Sequence, residues 1–158
     1  MCLIVDANAA GQFLARSSPI TGWLLGDKGE PRLVAAGALR EELVKLGDVR
    51  RLLTELNRAG RLRSADAHRL RQEEDRLRAD ARCRSNDIHV LALAFVSGAR
   101  TLATFDNALA GDFRNADFIS RPRGHIYRDP AKHAHLLGHT PTSCGVRPTA
   151  SRRARRVR

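Results

Sequence analysis

Four acidic residues stand where a sheet protein could use them for chemistry. Asp6 directly follows Leu3-Ile4-Val5, a short apolar run of the kind that forms a buried parallel strand. Asp106 ends a second such run, Thr101 to Phe105. In an open parallel α/β sheet, ligands bind at the carboxyl ends of the strands. Either aspartate alone reads more readily as a turn or cap residue. Glu42 falls at the edge of the helical stripe Leu39, Leu43, Leu46, whereas Glu41 points away. An unpaired charge beside a core is costly, so Glu42 calls for an arginine or for a metal ion shared with Asp6. Asp87 lies in the first turn of a helix capped by Ser85, where an acid suits the helix dipole without any function. The remainder of that helix is almost wholly apolar, so its first turn should border the sheet end. Four converging carboxylates repel one another, and a hard cation with oxygen ligands, Mg²⁺ or Mn²⁺, relieves the repulsion. Such an ion beside a basic surface can orient and activate water against a phosphodiester. Asn8 and Thr104 are placed to hydrogen-bond a ligand carboxylate or the water.

The elements that would position these acids follow from apolar spacing and punctuation. Strands are expected at Leu3-Ile4-Val5, over 32–35, over 101–105, at Phe118-Ile119 and over 125–127. Between them come a helix through Ala9, Phe13 and Leu14, and a short helix from Ser18-Pro19 to Gly26. The stripe of Leu39 ends at Gly47, and Asp48 can cap a helix that buries Leu52, Leu53 and Leu56 and stops near Gly60. Ser64 opens a long polar helix to about Ala81, and Ser85 opens the apolar helix closed by Gly98. A short helix holds Leu109. Alternating strands and helices predict an α/β fold with a parallel central sheet flanked by helices. Periodicity fades from Pro130, and 140–158, rich in Pro, Thr, Ser and Arg, is expected to be disordered. The division is a domain over 1–129 and a basic extension over 130–158.

The 158 residues suit one domain with a real core. Lys and Arg number 28 against 17 acids, a net charge of +11. Six arginines beyond residue 146 account for more than half of that surplus. A basic surface attracts polyanions, nucleic acid above all, although many such surfaces are only solvated. No apolar run approaches the roughly 20 residues of a membrane span. Met1 to Val5 lead straight into Asp6, so no signal peptide is expected. Three widely spaced cysteines argue against a disulfide framework and for a reducing cytoplasm.

Taken together, Leu3-Ile4-Val5-Asp6-Ala7-Asn8, Leu39-Arg40-Glu41-Glu42-Leu43, Ser85-Asn86-Asp87-Ile88-His89 leading into Leu91-Ala92-Leu93-Ala94, Ser97-Gly98-Ala99-Arg100 and Leu102-Ala103-Thr104-Phe105-Asp106 resemble a PIN domain. That is the fold of many prokaryotic RNA-cleaving toxins of the VapC type and of related nucleases. The resemblance covers about residues 1–128. It implies a metal-dependent endoribonuclease that leaves a 5′-phosphate and a 3′-hydroxyl, with Asp6 and Asp87 as main ligands of Mg²⁺ or Mn²⁺ and Glu42 and Asp106 completing the site. It also implies RNA as substrate, an antitoxin protein as partner and a homodimer. Many relatives carry a second acid soon after the fourth, where this chain has Asn107; Asp112 is the nearest substitute. The rival reading is a catalytically silent RNA-binding module of the same fold.

Other features carry less. His133, His135, His139 and Cys144 have the types for zinc but no familiar spacing. His89 suits packing against the strand end rather than proton transfer. Cys2 and Cys83 read as small buried apolar groups. One Trp, one Tyr and five Phe do not suggest base stacking as the main mode of RNA binding. Arg40, Arg84 and Arg100, with Arg82, are the candidates for phosphate contacts near the sheet end.

Overall fold

The computed structural model describes residues 1–138. Five parallel strands form one sheet in the order β3-β2-β1-β4-β5. They are β1 (Cys2–Val5), β2 (Arg32–Val34), β3 (Leu62–Arg63), β4 (Thr101–Ala103) and β5 (His125–Tyr127). The helices are α1 (Ala7–Phe13), α2 (Pro19–Leu25), α3 (Gly37–Val44), α4 (Gly47–Arg58), α5 (Ala67–Arg78), α6 (Ile88–Ser97), α7 (Asn107–Phe113), α8 (Ala116–Ile119) and α9 (Pro130–His133), followed by a 3₁₀ turn, Ala134–Leu137. The fold class expected from the sequence is the one observed. No helix of the described residues is long and apolar enough to cross a membrane.

β1 is the central strand, and all four of its residues are buried. Leu3 pairs with Leu33 on one side, and Val5 with Ala103 on the other. A strand covered on both faces needs this continuous apolar character, because neither face meets water. α6 is the most deeply buried helix, with Val90, Leu91, Ala92, Leu93 and Ala94 all fully inside. It ends on Gly98, whose φ of 77° only glycine adopts without penalty, and whose N–H bonds the Ala94 carbonyl. That turn reverses the chain directly into β4.

Four local expectations are corrected. Phe118 and Ile119 belong to the one-turn helix α8, capped by Asn115, and not to a strand. β3 occupies the short stretch between α4 and α5 that the sequence reading left without a strand. The long polar helix is capped by Asp66, which accepts from the Arg69 N–H, rather than opened at Ser64. Pro130 starts helical structure, with Leu136 and Leu137 packed against the core. The expected disordered tail over 140–158 lies outside the described residues.

Candidate active site at the carboxyl end of the sheet

Strand pairing brings Asp6 and Asp106 to neighbouring strand ends. The Asp6 N–H donates to the Ala103 carbonyl at 3.0 Å, which continues the β1–β4 ladder by one residue. Asp6 is buried, 2% exposed, and its Oδ2 accepts the Thr104 hydroxyl at 2.9 Å. Thr104 Oγ1 in turn accepts the Asp106 N–H at 3.0 Å. One buried hydroxyl just beyond β4 therefore links the Asp6 carboxylate to the Asp106 backbone. Asp6 is the N-cap of α1, yet its side chain forms no capping bond. Asp106 does cap its helix, accepting the Leu109 N–H through Oδ1 at 3.1 Å.

Asp87 is the N-cap of α6, and its carboxylate caps nothing. Ser85 is not the cap expected of it: it lies two residues before the N-cap, and its Oγ accepts the Asp87 N–H at 2.9 Å. Glu42 lies on α3, its Oε1 3.2 Å from His89 Nε2 on α6. The two groups are close enough to pair when the imidazole is protonated, but they are not aligned as a hydrogen bond. This is a partner for Glu42 that the sequence reading did not foresee.

Electrostatics join the four acids. Burial pushes the Asp6 carboxyl above its ordinary range, and the charges of Asp87 and Asp106 push it further; the Thr104 hydroxyl and the Asn8 backbone act in the opposite direction. Asp87 is likewise raised, first by burial and then by Asp106 and Glu42, while His89 opposes the shift. Among the described residues, no Lys or Arg forms an ion pair with Asp6, Asp87 or Asp106. An all-carboxylate donor set suits a hard divalent cation. The side chains are not gathered into a preformed cage, since among the described residues no three His, Cys, Asp or Glu stand together as a metal-holding group.

The supporting cast divides. Asn8 is exposed on the first turn of α1. Asp112 is buried, and its Oδ2 accepts the N–H groups of Arg84 at 2.9 Å and Ser85 at 2.7 Å, with the Cys83 thiol at 3.5 Å. It clamps the loop that delivers Ser85 and Asp87. Arg40 and Arg84 are exposed on the elements that carry Glu42 and Asp87. Arg100 precedes β4 and so lies at the opposite, amino end of the sheet. Its guanidinium donates to the carbonyls of Ala94, Ala99, Ile119 and Pro122 and to Ser120 Oγ. That arrangement corrects its assignment to phosphate contact: its donors are spent on holding three segments together.

Arg128, which sequence reasoning missed, follows β5 and reaches the acid-bearing end. Its Nε donates to the Thr104 carbonyl at 3.1 Å and its Nη1 to Asn107 Oδ1 at 2.9 Å, while Nη2 is buried without a partner. The only advance signal was its position after an apolar strand.

Of the zinc candidates, His133 uses Nδ1 to accept the N–H groups of Arg128 and Asp129, both at 2.9 Å. His139 and Cys144 lie outside the described residues. Cys2 is buried on β1; Cys83 is a half-buried free thiol. The 600 Å³ groove lined by α1 and α4, at Leu14, Ala15, Leu46 and Val49, includes none of the four acids. No protein-family model matches the chain, and neither does any curated protein or solved structure.

Proposed function

We propose that this chain is a metal-dependent endoribonuclease that hydrolyses RNA phosphodiester bonds. The observation that carries the reading is Asp6: a buried carboxylate with Asp87 and Asp106 in its field and no cationic side chain beside it. A fold tolerates such a concentration of like charge poorly unless something neutralises it. The net charge of the whole chain, +11, suits a polyanionic substrate.

In this reading Asp6 and Asp87 hold Mg²⁺ or Mn²⁺, and Glu42 and Asp106 complete the set. When bound, the cation supplies charge neutralisation and Lewis acidity toward water and phosphoryl oxygen. The chain's own groups hold the acids ready for it. Thr104 fixes the orientation of Asp6 through its hydroxyl. Ser85 fixes the backbone at Asp87 by accepting its N–H. His89 on the facing helix stands 3.2 Å from Glu42 and can pair with it when protonated. Arg40 and Arg84, exposed on α3 and before α6, are the phosphate contacts of choice. The resemblance to VapC-type toxins extends the reading to a toxin–antitoxin pair, with an antitoxin protein and a second copy of the chain as partners.

A silent RNA-binding module is the competing reading, and one observation favours it: the acids do not form a ready-made metal-holding group among the described residues. The deciding experiment incubates mixed-sequence single-stranded RNA with wild type and Asp6→Asn in Mn²⁺, Mg²⁺ or EDTA. Metal-dependent cleavage that vanishes in the variant supports the nuclease. Retained RNA binding without cleavage by the wild type supports the silent module. Cleavage that survives the variant or EDTA rules out the acidic site as its source.

A further inference from the structure

Phe105 lies between the two residues that organise the acids. Thr104 on one side bonds Asp6, and Asp106 on the other caps α7. The chain therefore carries Phe105 at the strand end from which Asp6 and Asp106 emerge. Among the described residues only Leu25, Leu46 and Phe105 are large, apolar and exposed, and Phe105 is the one aromatic. It is 44% exposed. Its inner face stacks on buried Phe13 with ring centroids 4.8 Å apart and planes 21° from parallel. Phe13 is held edge-on by buried Tyr127. The exposed ring is thus fixed in orientation by a stack of aromatics beneath it. Arg128, anchored to the Thr104 carbonyl and to Asn107, puts a cation on the same rim.

A flat, open aromatic face, fixed from beneath at the strand end that carries the acids, has the form of a stacking platform for a planar ring attached to a phosphodiester. Stacking on it is sequence-tolerant, because every base has a π face. We propose that Phe105 stacks a nucleobase of single-stranded RNA next to the phosphodiester that faces the four acids. The proposal rests on the ribonuclease reading above and adds to it the position where a base is gripped. It departs from the expectation, drawn from the few aromatics in the sequence, that base stacking is not the main mode of RNA binding.

The test compares wild type, Phe105→Ala, Phe105→Leu and Phe105→Trp, each first confirmed folded by circular dichroism. Affinity is measured in EDTA for a single-stranded RNA and for an abasic strand of the same length. Cleavage is measured in Mn²⁺. Phe105→Ala is expected to weaken binding of intact RNA by roughly 5- to 150-fold and to leave the abasic strand unaffected. Phe105→Trp should retain affinity, and the fluorescence of its indole should be quenched when RNA binds. Equal affinity of Phe105→Ala and wild type for intact RNA, with wild-type cleavage present, overturns the platform and leaves the nuclease reading standing. Full rescue by Phe105→Leu overturns it too, since apolar bulk rather than a π face would then be the requirement. A wild-type dimer that falls to monomer in Phe105→Ala, with RNA affinity unchanged, overturns it in favour of a self-association surface. If wild type neither binds nor cleaves RNA, both readings fail together.

Discussion

Thr104 donates its hydroxyl to the Asp6 carboxylate across 98 residues of chain, at 2.9 Å and wholly inside the protein. A charge-assisted bond of this kind is stronger than a neutral one. It only partly offsets the burial of Asp6 and the repulsion from Asp87 and Asp106, since the carboxyl still sits above its ordinary range. The fold therefore holds an acid against its own electrostatic preference.

Removing the Asp6 charge should stabilise the metal-free protein. Asp6→Asn keeps an oxygen for Thr104 and abolishes the repulsion. The expected gain is on the order of 1 kcal/mol at neutral pH, or about 2–4 °C in Tm. The sign follows from proton uptake. Between the ordinary value of 3.8 and the raised native one, the folded state holds more protons than the unfolded chain. Metal-free stability then falls as pH rises through that window, and the slope should shrink in the variant. Saturating Mn²⁺ should raise the Tm of wild type and leave Asp6→Asn nearly unmoved. Thermal melts with and without EDTA across pH 4–8 measure all three; a variant less stable than wild type without metal would contradict this account.

Asp112 should matter for stability more than for metal affinity. Its buried carboxylate accepts the N–H groups of Arg84 and Ser85. Asp112→Ala leaves those donors unsatisfied at a cost of about 2–4 kcal/mol, a Tm loss of roughly 4–16 °C. Because the loop it clamps delivers Asp87, RNA cleavage should fall alongside. Asp112→Asn, which retains one acceptor, should recover part of both. Denaturant unfolding measured together with cleavage rate distinguishes this from a direct ligand role, in which Asp112→Asn would abolish cleavage without loss of stability.

Arginines at the two ends of the sheet should behave oppositely. Arg100→Ala strips donors from four carbonyls in a half-buried site and should cost about 2–4 kcal/mol, with RNA affinity per folded molecule unchanged. Arg84→Ala, at an exposed position, should shift stability by less than about 0.5 kcal/mol and weaken RNA binding, more so at low salt. Filter binding at two salt concentrations beside urea titrations of each variant provides the check. Weakened RNA binding by folded Arg100→Ala would reinstate it as a phosphate contact.

Cys83 should be a slow thiol. Burial and the neighbouring Asp112 charge push it up to about 11 from an ordinary 9.0. At pH 8 that leaves about a hundredfold less thiolate than in an ordinary thiol, and thiolate is the reactive form. Alkylation at Cys83, followed by peptide mass spectrometry, should rise about tenfold per pH unit up to about pH 11. Asp112→Asn should speed it. Rapid alkylation at pH 7 would show a more open site.

The parts of the structure legible in sequence were those with one unambiguous cause. Leu3-Ile4-Val5 had no polar residue to place outside, so it could only be an inner strand. The apolar run after Asp87, closed by Gly98, could only be a buried helix with a left-handed end. With those two elements, the strand-end acids follow. β3 escaped because two residues carry no period, and Phe118-Ile119 misled for the same reason: the Asn115 cap decides that they are helical. Arg100 was misplaced because its partners, from Ala94 to Pro122, converge only in the folded state. The pairing of Glu42 with His89 and the clamp of Asp112 on the loop before α6 are tertiary facts with no local signature. The stack of Phe105 on Phe13 is another.

The strand order has a consequence for biosynthesis. β1 leaves the ribosome first, yet one of its edges must wait for β4, about a hundred residues later. A nascent chain that has emerged only through α5 can pair β1 with β2 and β2 with β3, but it lacks Asp87, Thr104 and Asp106. Closing so long a connection also slows folding relative to local pairing. A polypeptide of that length therefore carries Asp6 and Glu42 without Asp87 or Asp106, and the two neighbouring strand ends that bear Asp6 and Asp106 meet only once β4 has been added.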